Sequence, residues 1–447
     1  MAHIIHDFLC YNIGMGRNYS DLLKQSLDGA RLELLHLLAY QAAMLRMPLY
    51  LVGGVVRDIL LGRAVKDFDL VVEGNSAEFA EYIVRKFGGK TLIHSKFMTA
   101  TWVVNESTFK RLNFPSFRSP WHLSFDLVSA RYEIYSQPGA LPTVKRSTID
   151  DDLRRRDFTI NAIAIRLDGD HFGELFDPLD GQKDLENKLI RVLHDKSFVD
   201  DPTRIFRAVR YAVRYGFEIE PGTLKLINEE SQAVLSQLSG ERLRHEFDLI
   251  FEEENANPIL ERLQDLDVID AIDPVLQNAV VNWLSVLTDK PEEGFSDFST
   301  PDILSFRQTL GWILYLVNLS KTEVERIAKR LAFPVLLTKA VIGASSIKRD
   351  MPSFKDWKPS QWTFYLDQFP LLSVYATYLM HMELGFQDYF TIWRNVKPFT
   401  SGYTLQQRGL EPGPRYAEIL RQLRAAWLDG EVQNEDEEVK LLGSLIK

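Results

Sequence analysis

The rhythm of hydrophobic positions changes near residue 175. Before it, short apolar runs of β character alternate with helical stretches. "LYLVGG", "DFDLVVEG", "TATWVVN" and "SFDLVSARY" read as strands. "SAEFAEYIVRKFGG" reads as a helix, with Ser76 expected as its N-cap and Gly88–Gly89 as its stop. After about Asp177 such β runs nearly vanish. "DPTRIFRAVRYAVRYGF", "LRHEFDLIFEE", "TEVERIAKRLA" and "RYAEILRQLRAAWLDG" all carry helical spacing. The pattern predicts an α+β protein: a mixed head of sheet and helices, then a long all-α part. A helical extension around Ser20–Met47 precedes the head, and "TDKPEEGFSDFSTPD" (288–302) reads as a mobile linker.

Composition adds limits. The 447 residues are 45% hydrophobic and 26% charged, which allows two to four domains with sizeable cores. Cys10 is the one cysteine, so no internal disulfide framework exists and a reducing, cytoplasmic setting is expected. No stretch reads as a secretory signal or as a membrane span, so no membrane partner is expected.

A net charge of −10 argues at first against a nucleic-acid partner, but its distribution reverses that view. Residues 251–305 hold 13 acidic and 2 basic residues, so the rest of the chain sums to about +1. Within that rest, 85–118 carries 7 basic residues against 1 acidic, and 391–428 carries 6 against 2. Local basic patches of this kind bind phosphates.

Candidate chemistry gathers in "VGGVVRDILLGRAVKDFDLVV" (52–72). Asp67 and Asp69 stand two apart, so on a strand they share one face. Side by side, two carboxylates repel unless a cation lies between them, and hard oxygen ligands suit Mg²⁺. A bare D-x-D is weak, and a polar strand face would explain it alone. Its neighbours sharpen it: Gly53 and Gly54 end a strand and open a helix, where backbone N–H groups donate to an anion, and Arg57 follows one turn in. No P-loop pattern occurs. Asp126, within "SFDLVSARY", is a third candidate carboxylate for a two-metal centre, with Glu133 as the alternative if the register differs.

Three motifs in consistent order, "LVGGVVRDILLGRAVKDFDLVV", "LRRRDFTINAIAI" and "DDPTRIFRAVRYAVRYGF", resemble the class II tRNA nucleotidyltransferase family. That family includes CCA-adding enzymes, their A-adding and CC-adding relatives, and bacterial poly(A) polymerases. The resemblance covers roughly 49–251. It implies a head with the DNA polymerase beta-like nucleotidyltransferase fold, in which Asp67 and Asp69 bind metal and Gly53, Gly54 and Arg57 meet the triphosphate. Arg155, Arg156, Asp157 and Asn161 would meet sugar and phosphate, with Arg156 the first choice as phosphate ligand. Asp201 and Arg204 would read the Watson–Crick edge of the incoming base, with Arg207 and Arg210 reaching toward phosphate or orienting that pair. The chemistry agrees. C and A each offer an exocyclic amine donor beside a ring-nitrogen acceptor, which a carboxylate and a guanidinium complement, whereas U and G reverse the pattern. Glu241, Arg242 and Glu246 in "GERLRHEFDLIF" would be structural.

The implied organisation is an extension over 1–47 and a nucleotidyltransferase head over 48–178. A helical neck that reads the nucleotide and binds RNA would follow over 179–265, then an RNA-binding body and tail over 266–447. The expected activity is metal-dependent, template-independent addition of CCA from CTP and ATP to the tRNA 3′ end. Addition of A alone, of CC alone or of a poly(A) tail is the rival within the family. "SQPGALPTVKRSTIDDD" (136–152) looks more like the A-adding relatives. An inactive RNA-binding homologue would show a lost acid or a broken glycine turn, and neither is seen. A joined phosphohydrolase site is rejected, because His381 is the only histidine after His245.

Overall fold

The computed structural model describes residues 18–65, 68–112, 123–135, 137–140, 142–279, 281–293, 295 and 298–446. Its chain divides into two compact units, 1–237 and 238–447. The division falls inside the stretch 179–265 that the sequence suggested as a neck.

The first unit is built on a seven-stranded mixed sheet. Its strands are β1 (Leu49–Val52), β2 (Asp69–Val72), β3 (Lys90–His94), β4 (Thr99–Val104), β5 (Leu123–Ser129), β8 (Ala164–Arg166) and β9 (Leu175–Phe176). They lie in the order β3-β4-β5-β2-β1-β8-β9. A separate hairpin joins β6 (Arg131–Ile134) to β7 (Thr143–Arg146). The four strands read from the sequence are present. Edge strand β3, the β6–β7 hairpin and the short β8 and β9 were not anticipated. Their side chains lack a long apolar run, and pairing partners supply what local pattern does not.

Strand alternation gives the sheet two different faces. One buries Leu70, Val72, Phe125, Leu127, Ala100 and Trp102. The helix Ser76–Phe87 covers β4 and β5 with the buried Phe79, Ala80 and Ile83. Its N-cap is Asn75, whose side chain accepts from Ala77 N, and not Ser76 as expected. Ser76 instead donates through its hydroxyl to Met98 O and through its N–H to Ser129 Oγ, tying the helix start to the sheet. Gly88, with φ +85°, ends the helix as expected.

The other face is only partly covered. Tyr50, Val52 and Val71 pack there against Ile149 and Leu153, an i,i+4 apolar pair on the helix Ile149–Arg154. The rest of that face stays open near the start of β2. A helix that lies on the open face carries its remaining side chains toward that opening, and the site is built from this arrangement.

The second unit is helical among its described residues. Phe247, Phe251, Trp312 and Tyr315 pack with tilted and edge-on rings in its core, and Leu405, Ile419, Leu423 and Leu442 form a separate small cluster near the C-terminus. The stretch 288–302 corrects the expectation of a mobile linker where it is described. Phe295 is buried, with its ring centroid 4.8 Å from that of Phe390 and 5.3 Å from that of Tyr375, and Glu292 N donates to the Tyr375 hydroxyl. Glycine, proline and acids set the polarity of that segment, but its aromatic residues decide where it goes. Glu241, Arg242 and Glu246 lie on the helix Gly240–Phe251, and Glu246 is buried.

Candidate nucleotidyl-transfer site

An open cavity of about 530 Å³ occupies the part of that sheet face left uncovered. Gly54, Arg57, Asp69, Arg155, Arg156, Asp157, Asn161, Asp201, Arg204 and Arg207 all line it. The structure thus brings together residues drawn from three separate sequence stretches.

Asp69 opens β2 and is exposed, while the three residues after it are buried. Strands β2 and β5 run parallel, with Asp69 directly opposite Asp126. Residues in register on neighbouring strands share a face, at a strand spacing of about 4.8 Å. Asp126 is exposed as well, and one of its carboxylate oxygens accepts from the Thr101 hydroxyl at 2.6 Å. Asp67 lies outside the described residues. Two solvent-facing carboxylates side by side on an open face are hard oxygen donors of the kind that suits a divalent cation, so the donor set fits the metal that the sequence suggested. Glu133 is engaged elsewhere: it sits on β6 and accepts from Arg155 Nη1 at 2.9 Å and from the Tyr135 hydroxyl at 2.9 Å.

Arg57 is buried. Its Nη1 donates to Asn161 Oδ1 at 2.6 Å and its Nε to Asp58 Oδ1 at 2.9 Å. The rings of Tyr215 and Tyr211 lie 4.6 and 5.3 Å from its guanidinium carbon. Five N–H groups on a rigid fork, held on both edges and faced by two rings, leave little freedom of aim. Sequence reading found Arg57 but missed both tyrosines, which look like ordinary apolar positions of an amphipathic helix.

Asn161 carries that order onward. Its amide donates to Asp157 Oδ1 at 2.9 Å, and Asp157 Oδ2 pairs with Arg207 Nη2 at 2.6 Å. Burial disfavours the charge on Asp157, yet Arg207 and the Asn161 amide outweigh it and hold the carboxyl below its ordinary range. The acid expected to meet a ribose hydroxyl is therefore turned onto Arg207, Asn161 and Phe158 N. Arg207 itself remains 43% exposed at the cavity rim. Arg210 is buried on the same helix and does not line the cavity.

The three consecutive arginines separate by helix geometry. Arg154 points to solvent and pairs with Asp150. Arg155 and Arg156 both turn onto Asp152, which has no exposed surface. Arg155 Nη2 lies 2.8 Å from Oδ1 and Arg156 Nη2 3.0 Å from Oδ2. Burial opposes the charge of Asp152, but Arg156 and Arg155 together hold its carboxyl below the ordinary range. Arg156 Nε is buried without a partner among the described residues. That donor suits an anion better than a neutral wall. Asp152 escaped the sequence reading because "IDDD" looks like an ordinary acidic first turn.

Gly53 closes the glycine turn at φ +70°, and a Cβ there would collide with Arg156 Nη1. Gly53→Ala is expected to lose about 1–2 kcal/mol of stability from the backbone conformation alone. It should also push Arg156 off the cavity, raising KM for the nucleotide more than it lowers kcat. Urea unfolding with steady-state kinetics checks both effects, and wild-type values in both would refute this account of the turn.

Asp201 sits just before the helix Thr203–Tyr215, and its carboxylate accepts from Thr203 N at 3.2 Å and Thr203 Oγ1 at 2.7 Å. Arg204, in the first turn, is buried yet lines the same cavity. The structure therefore places the two expected base readers, Asp201 and Arg204, in the lining of the same cavity as Asp69.

The chain is similar to known proteins along most of its length. Residues 49–191 match the Poly A polymerase head domain, and 216–280 match the family described as the probable RNA and SrmB-binding site of polymerase A. The chain is 32% identical to an A-adding tRNA nucleotidyltransferase of Halalkalibacterium halodurans, over 94% of its own length and 94% of that protein. It is 29% identical to a CCA-adding enzyme of a Geobacillus species, over 69% of this chain and 68% of that one. Among solved structures, apo form II of a CCA-adding enzyme superposes with a TM-score of 0.78 at 31% identity, covering 97% of this chain and 100% of the other. The Thermotoga maritima CCA-adding enzyme complexed with tRNA gives 0.72 at 28% identity, and a CCA-adding enzyme complexed with ATP gives 0.77 at 28%, both over 97% of this chain and 100% of the other.

Proposed function

From the premise that this chain belongs to the class II tRNA nucleotidyltransferase family, and so is a nucleotidyl-transferring enzyme, we propose that it adds CCA to the tRNA 3′ end from CTP and ATP. The observation that carries this reading is that Asp69, Arg57, Arg156, Asp201 and Arg204 line one and the same cavity. A terminal 3′-hydroxyl oxygen attacks the α-phosphorus, the bond to the β-phosphate oxygen breaks, and pyrophosphate leaves. The hydroxyl proton passes to solvent or to a carboxylate on the open face. Arg57 and Arg156 bind the triphosphate, and the held geometry of both lowers the cost of ordering it. Asp69 and Asp126, with Asp67, would hold Mg²⁺. When bound there it supplies positive charge against the phosphoryl oxygens and makes the attacking hydroxyl more acidic.

Asp201 and Arg204 choose the base. A carboxylate accepting the exocyclic amine and a guanidinium donating to the ring nitrogen leave U and G with unpaired groups, a penalty on the order of 10⁴ in selectivity. Protein groups then replace a template. Among the described residues, no helix is long and apolar enough to cross a membrane.

Addition of A alone is a second reading, favoured by the A-adding relative that matches along 94% of the chain. Incubation with tRNA ending before CCA, in C and in CC, with each nucleotide supplied singly, decides between them. Incorporation of C on the first two ends and A on the third is the expected result. Incorporation of A only, and only on CC ends, would establish the second reading instead.

A further inference from the structure

Arg204 is turned toward the cavity by two pins. Its Nη1 donates to Ser197 Oγ at 2.8 Å, and its Nη2 donates to the main-chain oxygen of Arg155 at 3.1 Å. Each terminal nitrogen of a guanidinium carries two N–H groups, so each pin leaves one free for a ligand. The second pin is itself fixed. Arg155 uses Nε and Nη2 on Asp152 and Nη1 on Glu133, so its side chain holds its own backbone in place.

Ser197 has no exposed surface and begins the short helix Ser197–Asp200. Its main-chain oxygen accepts from Asp201 N at 3.2 Å, and its own N–H donates to His194 O at 3.1 Å. One residue therefore touches both members of the base-reading pair: its carbonyl sets the backbone of Asp201, and its hydroxyl sets the guanidinium of Arg204. Thr203 completes the arrangement by donating its N–H and its hydroxyl to the Asp201 carboxylate.

We propose that Ser197 is a positioning residue for nucleobase selection, orienting Arg204 against Asp201 so that the pair presents one donor–acceptor pattern to the incoming base. This rests on the reading of Asp201 and Arg204 as base readers. A guanidinium held at one end only can rotate about its long side chain. In rotating it accepts bases whose edge pattern is reversed, so losing the Ser197 hydroxyl costs selectivity more than it costs chemistry. The backbone contact to Asp201 survives in Ser197→Ala, because it uses the carbonyl.

The test measures kcat and KM for ATP, CTP, UTP and GTP on tRNA substrates, comparing wild type with Ser197→Ala and Arg204→Ala. In Ser197→Ala, kcat/KM for ATP and CTP should fall about 10-fold, mainly through KM. The preference for ATP over UTP should also narrow about 10-fold or more, in line with loss of one hydrogen bond to a charged group. A purely structural role would lower all four nucleotides in proportion and leave that ratio fixed. Should alanine prevent folding, Ser197→Cys keeps the size, offers a weak acceptor and is read by the same ratio. If Arg204→Ala narrows the ratio while Ser197→Ala or Ser197→Cys does not, positioning by Ser197 is refuted and base reading stands. If none of these variants narrows it, base reading by Arg204 fails and the proposal fails with it.

Discussion

Asp69→Ala and Asp126→Ala are each expected to cut kcat for nucleotide addition by about 10³-fold or more, which is about 4 kcal/mol of transition-state stabilisation. The reason is local. These acids stand side by side in register on parallel strands, on the part of the sheet face that the helix Ile149–Arg154 leaves open. Exposed positions of this kind contribute little to folding, so thermal unfolding should move little, by well under 1 kcal/mol. Activity should vanish while the fold persists. The Thr101 contact predicts a graded companion. Thr101→Val removes the hydroxyl that orients Asp126 and should lower kcat far less than Asp126→Ala does. A Thr101→Val loss equal to that of Asp126→Ala would show that Asp126 matters through the sheet and not through its carboxylate.

Asp152→Ala is expected to be the most destabilising single change in the site. The side chain is fully buried, and its two oxygens carry both inward arginines. Removing one partner of a buried ionic cluster strands the others and costs about 3 kcal/mol or more. Urea unfolding reads this as a lowered midpoint with little change in slope. Acid should act in the same direction. The folded carboxyl of Asp152 lies below its ordinary range, so it releases its proton more readily when folded than when unfolded. Its contribution is then complete above the unfolded value of about 3.9 and is lost as pH falls through the lower folded value. Asp157 shares this sign through Arg207. Wild-type protein should therefore lose stability steeply below pH about 4, and Asp152→Ala should show a shallower slope there. An equal slope in both would argue that Asp152 is not charged in the folded protein.

Much of this site was legible in the chain. The glycine turn announced itself because φ +70° with ψ −129° is a backbone conformation that glycine alone adopts readily, and Gly53 has it. Arg57, Asn161, Asp201 and Arg204 were found because their motifs keep fixed spacing, and the fold brings that spacing onto one cavity. What escaped was whatever depends on direction within a run. Three aspartates in "IDDD" look equivalent, yet helix rotation sends Asp150 to Arg154, Asp151 to Ser147 and only Asp152 inward. Three arginines look equivalent for the same reason. Tyr211 and Tyr215 were invisible as ligands of a guanidinium, because an aromatic on an amphipathic helix reads first as core. Ser197 carried no signal at all: a lone serine before a helix is a common cap, and its role comes from which side chain folds back to it. Strand β3 and the β6–β7 hairpin were missed because partly exposed strands lack the apolar alternation that announces a strand.

The account turns on carboxylates that meet a nucleotide through a bound cation. Titration of Mn²⁺ into wild type and into Asp69→Ala, followed by electron paramagnetic resonance with and without ATP, reads that directly and without turnover. Wild type should bind the ion more tightly when ATP is present, and Asp69→Ala should lose both the binding and its enhancement by ATP. Equal Mn²⁺ affinity in the two proteins, with ATP enhancing both alike, would contradict it.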